Sequence, residues 1–162
     1  MEFEEEEEVV NSFLTFKVNG GIYGVHVSKV VEILAYEQPK ASAGAMPYML
    51  GLISHRGRIL PLIDSGAKFD TGSVNITDQT YVIVISVDNN GEQFDVALAV
   101  DEVREVIDIP DDVRKNIENS YKPGYISFAA PTDGGLALII DPDHVFTDTD
   151  VVSMSKIIVE QN

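Results

Sequence analysis

The chain has 162 residues, 44% of them apolar, enough to bury a core as one domain or as two small intimate subdomains. It has no cysteine, which excludes a disulfide framework, a thiolate nucleophile and a cysteine metal site. Its formal net charge of −16 would repel phosphate, so nucleic acid and anionic membrane surfaces are not expected partners.

Acidic residues crowd the start, at Glu2 and from Glu4 to Glu8, and residues 1–11 read as a solvated tail. A secretory signal would instead begin basic and continue apolar. No apolar run approaches the about 20 residues of a membrane helix, so a cytoplasmic location without membrane insertion is expected.

The body consists of short strand-like runs broken by Gly, Asn, Asp and Pro. Phe13–Val18 and Ile22–Val27 flank Asn19-Gly20-Gly21, a hairpin turn signal. Ser28 is placed to cap a helical turn through Val30 and Val31, after which Glu32-Ile33-Leu34 is extended. From Pro47 to Asp64 the chain reads as a helical turn, a strand, a tight turn at Arg56-Gly57, and a strand ending in a cap. Residues 70–79 form a crossover. Tyr81–Val87 and Phe94–Val100 then flank Asn89-Asn90-Gly91, Asp101 can cap a turn containing Val103, and Arg104–Ile107 is extended again. Val151, Val152, Met154, Ser155 and Ile158 are spaced for a short packing helix.

This order is an internal repeat. An offset of 73 carries Val25 to Leu98, Val30 to Val103, Glu32 to Glu105, and Gly51-Leu52-Ile53-Ser54 to Gly124-Tyr125-Ile126-Ser127. Beyond a small insertion, Leu60–Asp64 is similar to Ala137–Asp141, and the units end near Phe69 and Phe146. The expected fold is all-β with short helices: two five-stranded units, roughly 12–70 and 80–147, intertwined in a domain 12–147 and followed by a helix and tail, 148–162. Closing each sheet into a small barrel removes its exposed edges.

Catalytic patterns are weak. Asp141-Pro142-Asp143-His144 is a turn and helix cap before it is a metal site. Asp64 and Asp101 follow apolar strands, where carboxylates cap free N–H groups. Ser54 and His55 are adjacent strand residues facing opposite ways, so with Asp64 they do not make a nucleophile triad. No phosphate loop or His-x-x-x-His pair is present. Neither catalytic residue, metal nor cofactor is expected.

The segment Pro47–Asp64, with Gly51-Leu52-Ile53-Ser54-His55-Arg56-Gly57 and Leu60-Pro61-Leu62-Ile63-Asp64, resembles the CheW family of chemotaxis coupling proteins. Tyr23-Gly24-Val25 with Val30-Val31-Glu32-Ile33, and Val96–Val103, are similar to the family's upstream and downstream patterns, so the likeness runs from about Phe13 to Phe146. The resemblance implies two packed SH3-like β-barrels and a non-catalytic adaptor. Its partners would be the regulatory domain of a chemotaxis histidine kinase and the cytoplasmic tip of a chemoreceptor. Carried over by position, Val30, Glu32, Gly51, Arg56 and Gly57 would bind partners or shape the groove that does, although Val30 reads equally well as core. The chain departs from the family in Ser54-His55, where Asn-Leu is usual, and in Ser65-Gly66, where Leu-Arg is common. The latter replaces a basic residue by a flexible position. Alternative readings are an adaptor for pili or gene regulation, a metal-dependent hydrolase using Asp64, Asp141 and His144, and a purely structural β module.

Overall fold

Alternating and continuous runs of β-branched and aromatic residues make ten strands among the described residues, because such side chains pack well on a pleated surface. The computed structural model describes residues 11–41, 46–118 and 123–161, and the acidic run 1–10 lies outside them. The strands are β1 (Ser12–Val18), β2 (Gly21–His26), β3 (Val30–Ala35), β4 (Met49–His55), β5 (Arg58–Asp64), β6 (Tyr81–Asn89), β7 (Glu92–Val100), β8 (Glu102–Asp108), β9 (Ile126–Thr132) and β10 (Gly135–Ile140). Short helices α1 (Ser65–Lys68) and α2 (Pro142–Val145) follow β5 and β10, and α3 (Asp148–Gln161) closes the chain.

The strands form two five-stranded sheets, in the orders β8-β1-β2-β10-β9 and β3-β6-β7-β5-β4. The all-β, two-unit expectation is met, but the sheets do not follow the repeats along the chain. Each takes its leading hairpin from one repeat and three strands from the other. Parallel pairs make the joins: β10 lies on β2 with Ile139 opposite Gly24, and β5 on β7 with Leu62 opposite Ala97. Hydrophobic clustering follows the same exchange. One large core includes Phe16 and Val25 of the first sheet with Ile63, Ile83 and Leu98 of the second, and a smaller core around Phe13, Ile109 and Ile139 stays within the first.

Strand register corrects part of the repeat. Met49 pairs with Ile63 and Gly51 with Leu62, while Ile126 pairs with Ile140 and Phe128 with Ile139, with a bulge at the same place in both ladders. From Met46 onward the offset is therefore 77. Gly51 corresponds to Phe128 and not to Gly124, because the connection before β9 is four residues longer than the one before β4. The same offset links Tyr48 to Tyr125 and Phe69 to Phe146. Tyr125 stacks on Phe69, with centroids 5.3 Å apart, and Tyr48 meets Phe146 at 6.5 Å, a reciprocal exchange of aromatic contacts.

Turn and cap chemistry settles the local expectations. Asp64 caps α1 as expected, its Oδ1 accepting from Ala67 N and Val74 N, both at 3.1 Å. Ser28 does not cap a helical turn through Val30 and Val31. The side chain of His26 instead accepts from Ser28 N at the start of a 3-10 turn, Val27–Lys29, and Val30 already belongs to β3. Asp101 does not cap a turn at Val103, which lies in β8. Its carboxylate accepts the backbone N–H of Asn19. Gly66 is not a flexible position. It is buried in α1, where an added Cβ would overlap the Gly72 carbonyl and the Asn19 amide. Asn19 Nδ2 donates to that same carbonyl at 2.6 Å, so the first hairpin, α1 and the crossover loop are pinned at one point.

Helix α3 has a reciprocal N-terminal cap. Thr147 N donates to Asp150 Oδ2 at 3.0 Å, and Asp150 N donates to Thr147 Oγ1 at 3.1 Å. Val151 and Met154 are buried, whereas Val152 is 66% exposed and does not join the packing face expected of it. The Ile158 side chain lies outside the described part of the structure. Burial pushes the Asp150 carboxyl up, but hydrogen bonds from Tyr48 and Thr147 and the charge of Lys68 outweigh it and hold the group below its ordinary range. A depressed folded-state value means the stabilisation is complete above about pH 4 and is lost as the pH falls through the folded value. Asp150→Asn is expected to cost about 1 kcal/mol at neutral pH. In urea denaturation its gap from the parent chain should narrow between pH 5 and pH 2.5, and a constant gap would contradict the role given to the carboxylate.

Candidate partner-binding site

The strands β3 and β4 are the two outer edges of the second sheet, with three strands between them in its order. Their side chains nevertheless meet. His55 Nε2, at the end of β4, donates to Glu32 Oε2 of β3 at 2.8 Å, and Arg56 Nη2 lies 3.2 Å from Glu32 Oε1. The sheet thus curls until its edges face each other, and one carboxylate bridges the gap. In the first sheet, Arg104 of the edge strand β8 lies beside Gly134, in the turn joining β9 and β10, so both sheets close in a similar sense.

Arg56 holds an unusual backbone position for its side chain. The β4–β5 turn has positive φ at both central residues, 53° at Arg56 and 76° at Gly57, as a two-residue turn matching strand twist requires. Two other hairpins use Asn19-Gly20 and Asn90-Gly91 for this geometry. Asparagine tolerates the left-handed region, whereas arginine has no local device for it and is held there at a cost of roughly 1 kcal/mol. Its side chain is 75% exposed. Beside it Arg58, at the start of β5, pairs with Asp95 of β7 at 2.7 Å, so basic groups concentrate on this turn of an otherwise acidic chain.

The residues singled out from the sequence separate into two places. Glu32, Arg56 and Gly57 come together at the β3–β4 closure. Val30 lies two residues before Glu32 on the same inward-leaning face and is half-buried against the main core, opposite Ile85. Gly51 is buried farther along β4 at φ 147°, where an added Cβ would overlap the Lys40 carbonyl. Its lack of a side chain lets Lys40 and Leu52 exchange backbone hydrogen bonds at 2.9 and 2.7 Å. Three neighbouring residues were not singled out. His55 shares the Glu32 carboxylate, and Val31 and Ile33 point outward from β3, 49% and 42% exposed. The sequence Val30-Val31-Glu32-Ile33-Leu34-Ala35 carries no signal for those two, since apolar residues fall on both faces of the strand; only the folded strand shows 30, 32 and 34 half-buried and 31 and 33 exposed.

Of the three hydrolase candidates, Asp141 and His144 pair with each other, and Asp64 is committed elsewhere. Asp64 is 3% exposed and occupied by two backbone N–H groups, and Asp141 is engaged by Asp143 N and by His144 Nδ1, the latter at 2.7 Å. Among the described residues no three carboxylate or imidazole groups gather to hold a metal ion. Nor is any helix among them long and apolar enough to cross a membrane.

Two exchanged β-sheets, each curled on itself, with a charged bridge across one closure, define a two-barrel β domain. The CheW-like domain pattern matches residues 12–150, and the chain belongs to that family. It is 32% identical over 96 residues to a chemotaxis protein CheW of Bacillus subtilis, an alignment covering 59% of each chain. It is 34% identical over 103 residues to the one from Klebsiella aerogenes, covering 64% of this chain and 60% of that one. The chain thus spans about three fifths of the length of these two relatives. The crystal structure of the scaffolding protein TtCheW from Thermoanaerobacter tengcongensis superposes with a TM-score of 0.72 at 22% identity, covering 85% of this chain and 88% of that one, a likeness of fold.

Because Arg56 sits at an asparagine-type turn position, Arg56→Asn should relieve local strain and stabilise the fold by about 0.5–1 kcal/mol. Thermal melts of the two proteins check this, and a lower midpoint for the variant would contradict the strain assigned to Arg56.

Proposed function

We propose that this protein is a non-catalytic adaptor that binds the regulatory domain of a chemotaxis histidine kinase and the cytoplasmic tip of a chemoreceptor. The observation that carries the reading is Arg56, a mostly exposed side chain kept in a backbone position that suits it poorly and steadied by Glu32 of the opposite edge strand. Strained non-glycine residues persist where surrounding structure holds them for a purpose. Exposed Val31 and Ile33 on the same edge strand add the apolar area that a transient contact needs around an arginine anchor. Membership of the CheW-like family supports the choice of partners.

The mechanism is linkage. A rigid body that binds two partners on separate faces transmits the receptor's state only if the assembly has different free energies with the kinase on and off. The exchanged strands supply rigidity, since neither barrel can move without distorting the other. Individual contacts need only be modest, because an array of many copies multiplies weak affinities through effective concentration.

Calorimetric titration tests the reading. The parent chain should bind the kinase regulatory domain saturably and recruit a receptor-tip fragment. Arg56→Glu and Ile33→Asp should each weaken receptor binding by about tenfold or more while circular dichroism and kinase binding stay unchanged. Equal receptor affinity in all three proteins would contradict the placement, and no binding of either partner would contradict the adaptor reading.

A further inference from the structure

The Glu32 carboxylate has two claimants, and only one of them keeps a fixed charge. Arg56 is always cationic, whereas an imidazole can be neutral or charged. His55 Nε2 donates to Glu32 Oε2 at 2.8 Å while Arg56 Nη2 approaches Oε1 at 3.2 Å, so each takes one oxygen. His55 is about 29% exposed and open to exchange protons with solvent. The charged groups facing it can be named for each element around it. Glu32 comes from β3, Arg56 from its own turn, and Arg58 stands opposite it on β5, itself paired with Asp95 of β7. A histidine here also departs from the leucine usual in the family.

We propose that His55 is a proton-sensitive positioning residue, which on protonation adds a positive charge beside the shared Glu32 carboxylate and leaves the Arg56 guanidinium less neutralised and more available to an acidic segment of the partner. The inference rests on the proposed function and names the regulation of the same face. With His55 neutral, the Glu32 charge is balanced chiefly by Arg56, and the group of three is close to neutral. With His55 protonated, the same three side chains carry one net positive charge, and the guanidinium, already 75% exposed, meets less competition for an outside carboxylate. Charge complementarity selects an anionic partner segment, because this turn carries His55, Arg56 and Arg58 together on a chain of net charge −16.

The test is the affinity of the full chain for a receptor-tip fragment carrying acidic residues, measured by calorimetry at pH 8.0 and pH 6.0 in buffers of matched ionic strength. Affinity of the parent chain should rise roughly two- to fivefold on acidification, the scale of one exposed charge interaction. His55→Leu, which has the residue usual in the family, and His55→Gln, which keeps an N–H donor but cannot gain charge, should both lose the rise. Raising the salt to 0.5 M should compress it. Binding that is independent of pH in the parent chain, or an equal rise in His55→Gln, would overturn the inference while leaving the adaptor reading standing. Absence of receptor binding at either pH would overturn both.

Discussion

The structure depends on one constraint: neither sheet can be completed by a single repeat. Each barrel borrows its leading hairpin, and the loans are joined by parallel pairs, β10 on β2 and β5 on β7. Parallel neighbours need long crossover connections: here β5 reaches β7 through α1, the crossover loop and β6, and β2 reaches β10 through the whole second sheet together with β8 and β9. The Tyr125–Phe69 and Tyr48–Phe146 contacts repeat the exchange at side-chain level. Separating the barrels would expose the core they share, so the domain has no natural hinge between them.

The candidate face grows from the same closure. A five-stranded sheet leaves two edges, and edges invite pairing with other chains unless they are covered. In the second sheet the edges turn toward each other, and Glu32 spans them with His55 and Arg56. The bridge therefore has two roles: it ties the barrel shut, and it steadies an arginine that points into solvent. A residue placed at a closure is set by strand geometry, which would suit the proposed contact. The cost is an arginine in a left-handed turn, where an asparagine would rest more easily.

Much of the fold was legible because it rests on period-two patterns and turn residues, which are local. Asn19-Gly20, Arg56-Gly57 and Asn90-Gly91 mark their turns openly, and Asp64 caps as a carboxylate after a strand should. What escaped was non-local. The shift of offset from 73 to 77 sits in the longer connection before β9, so a coincidental glycine at 124 could pass for the partner of Gly51. Gly66 reads as looseness in sequence, but only the returning chain at Gly72 shows it to be a tight contact. His26 and not Ser28 is the cap because the helical turn already begins at Val27, and the imidazole accepts the backbone N–H of Ser28 itself. Glu32 and Arg56 were recognisable through family likeness, yet their bond to each other, and the share taken by His55, exist only once the sheet has curled.

The central claim is that partner contact centres on the β3 edge and the β4–β5 turn. The most direct measurement is a ¹H–¹⁵N correlation spectrum of the labelled chain titrated with a receptor-tip fragment. The account predicts that shifts concentrate at residues 31–33 and 54–58, with the Arg56 side-chain signal among the largest. Shifts confined to β9, β10 and the Thr132–Gly135 turn of the other barrel, with residues 54–58 silent, would contradict it.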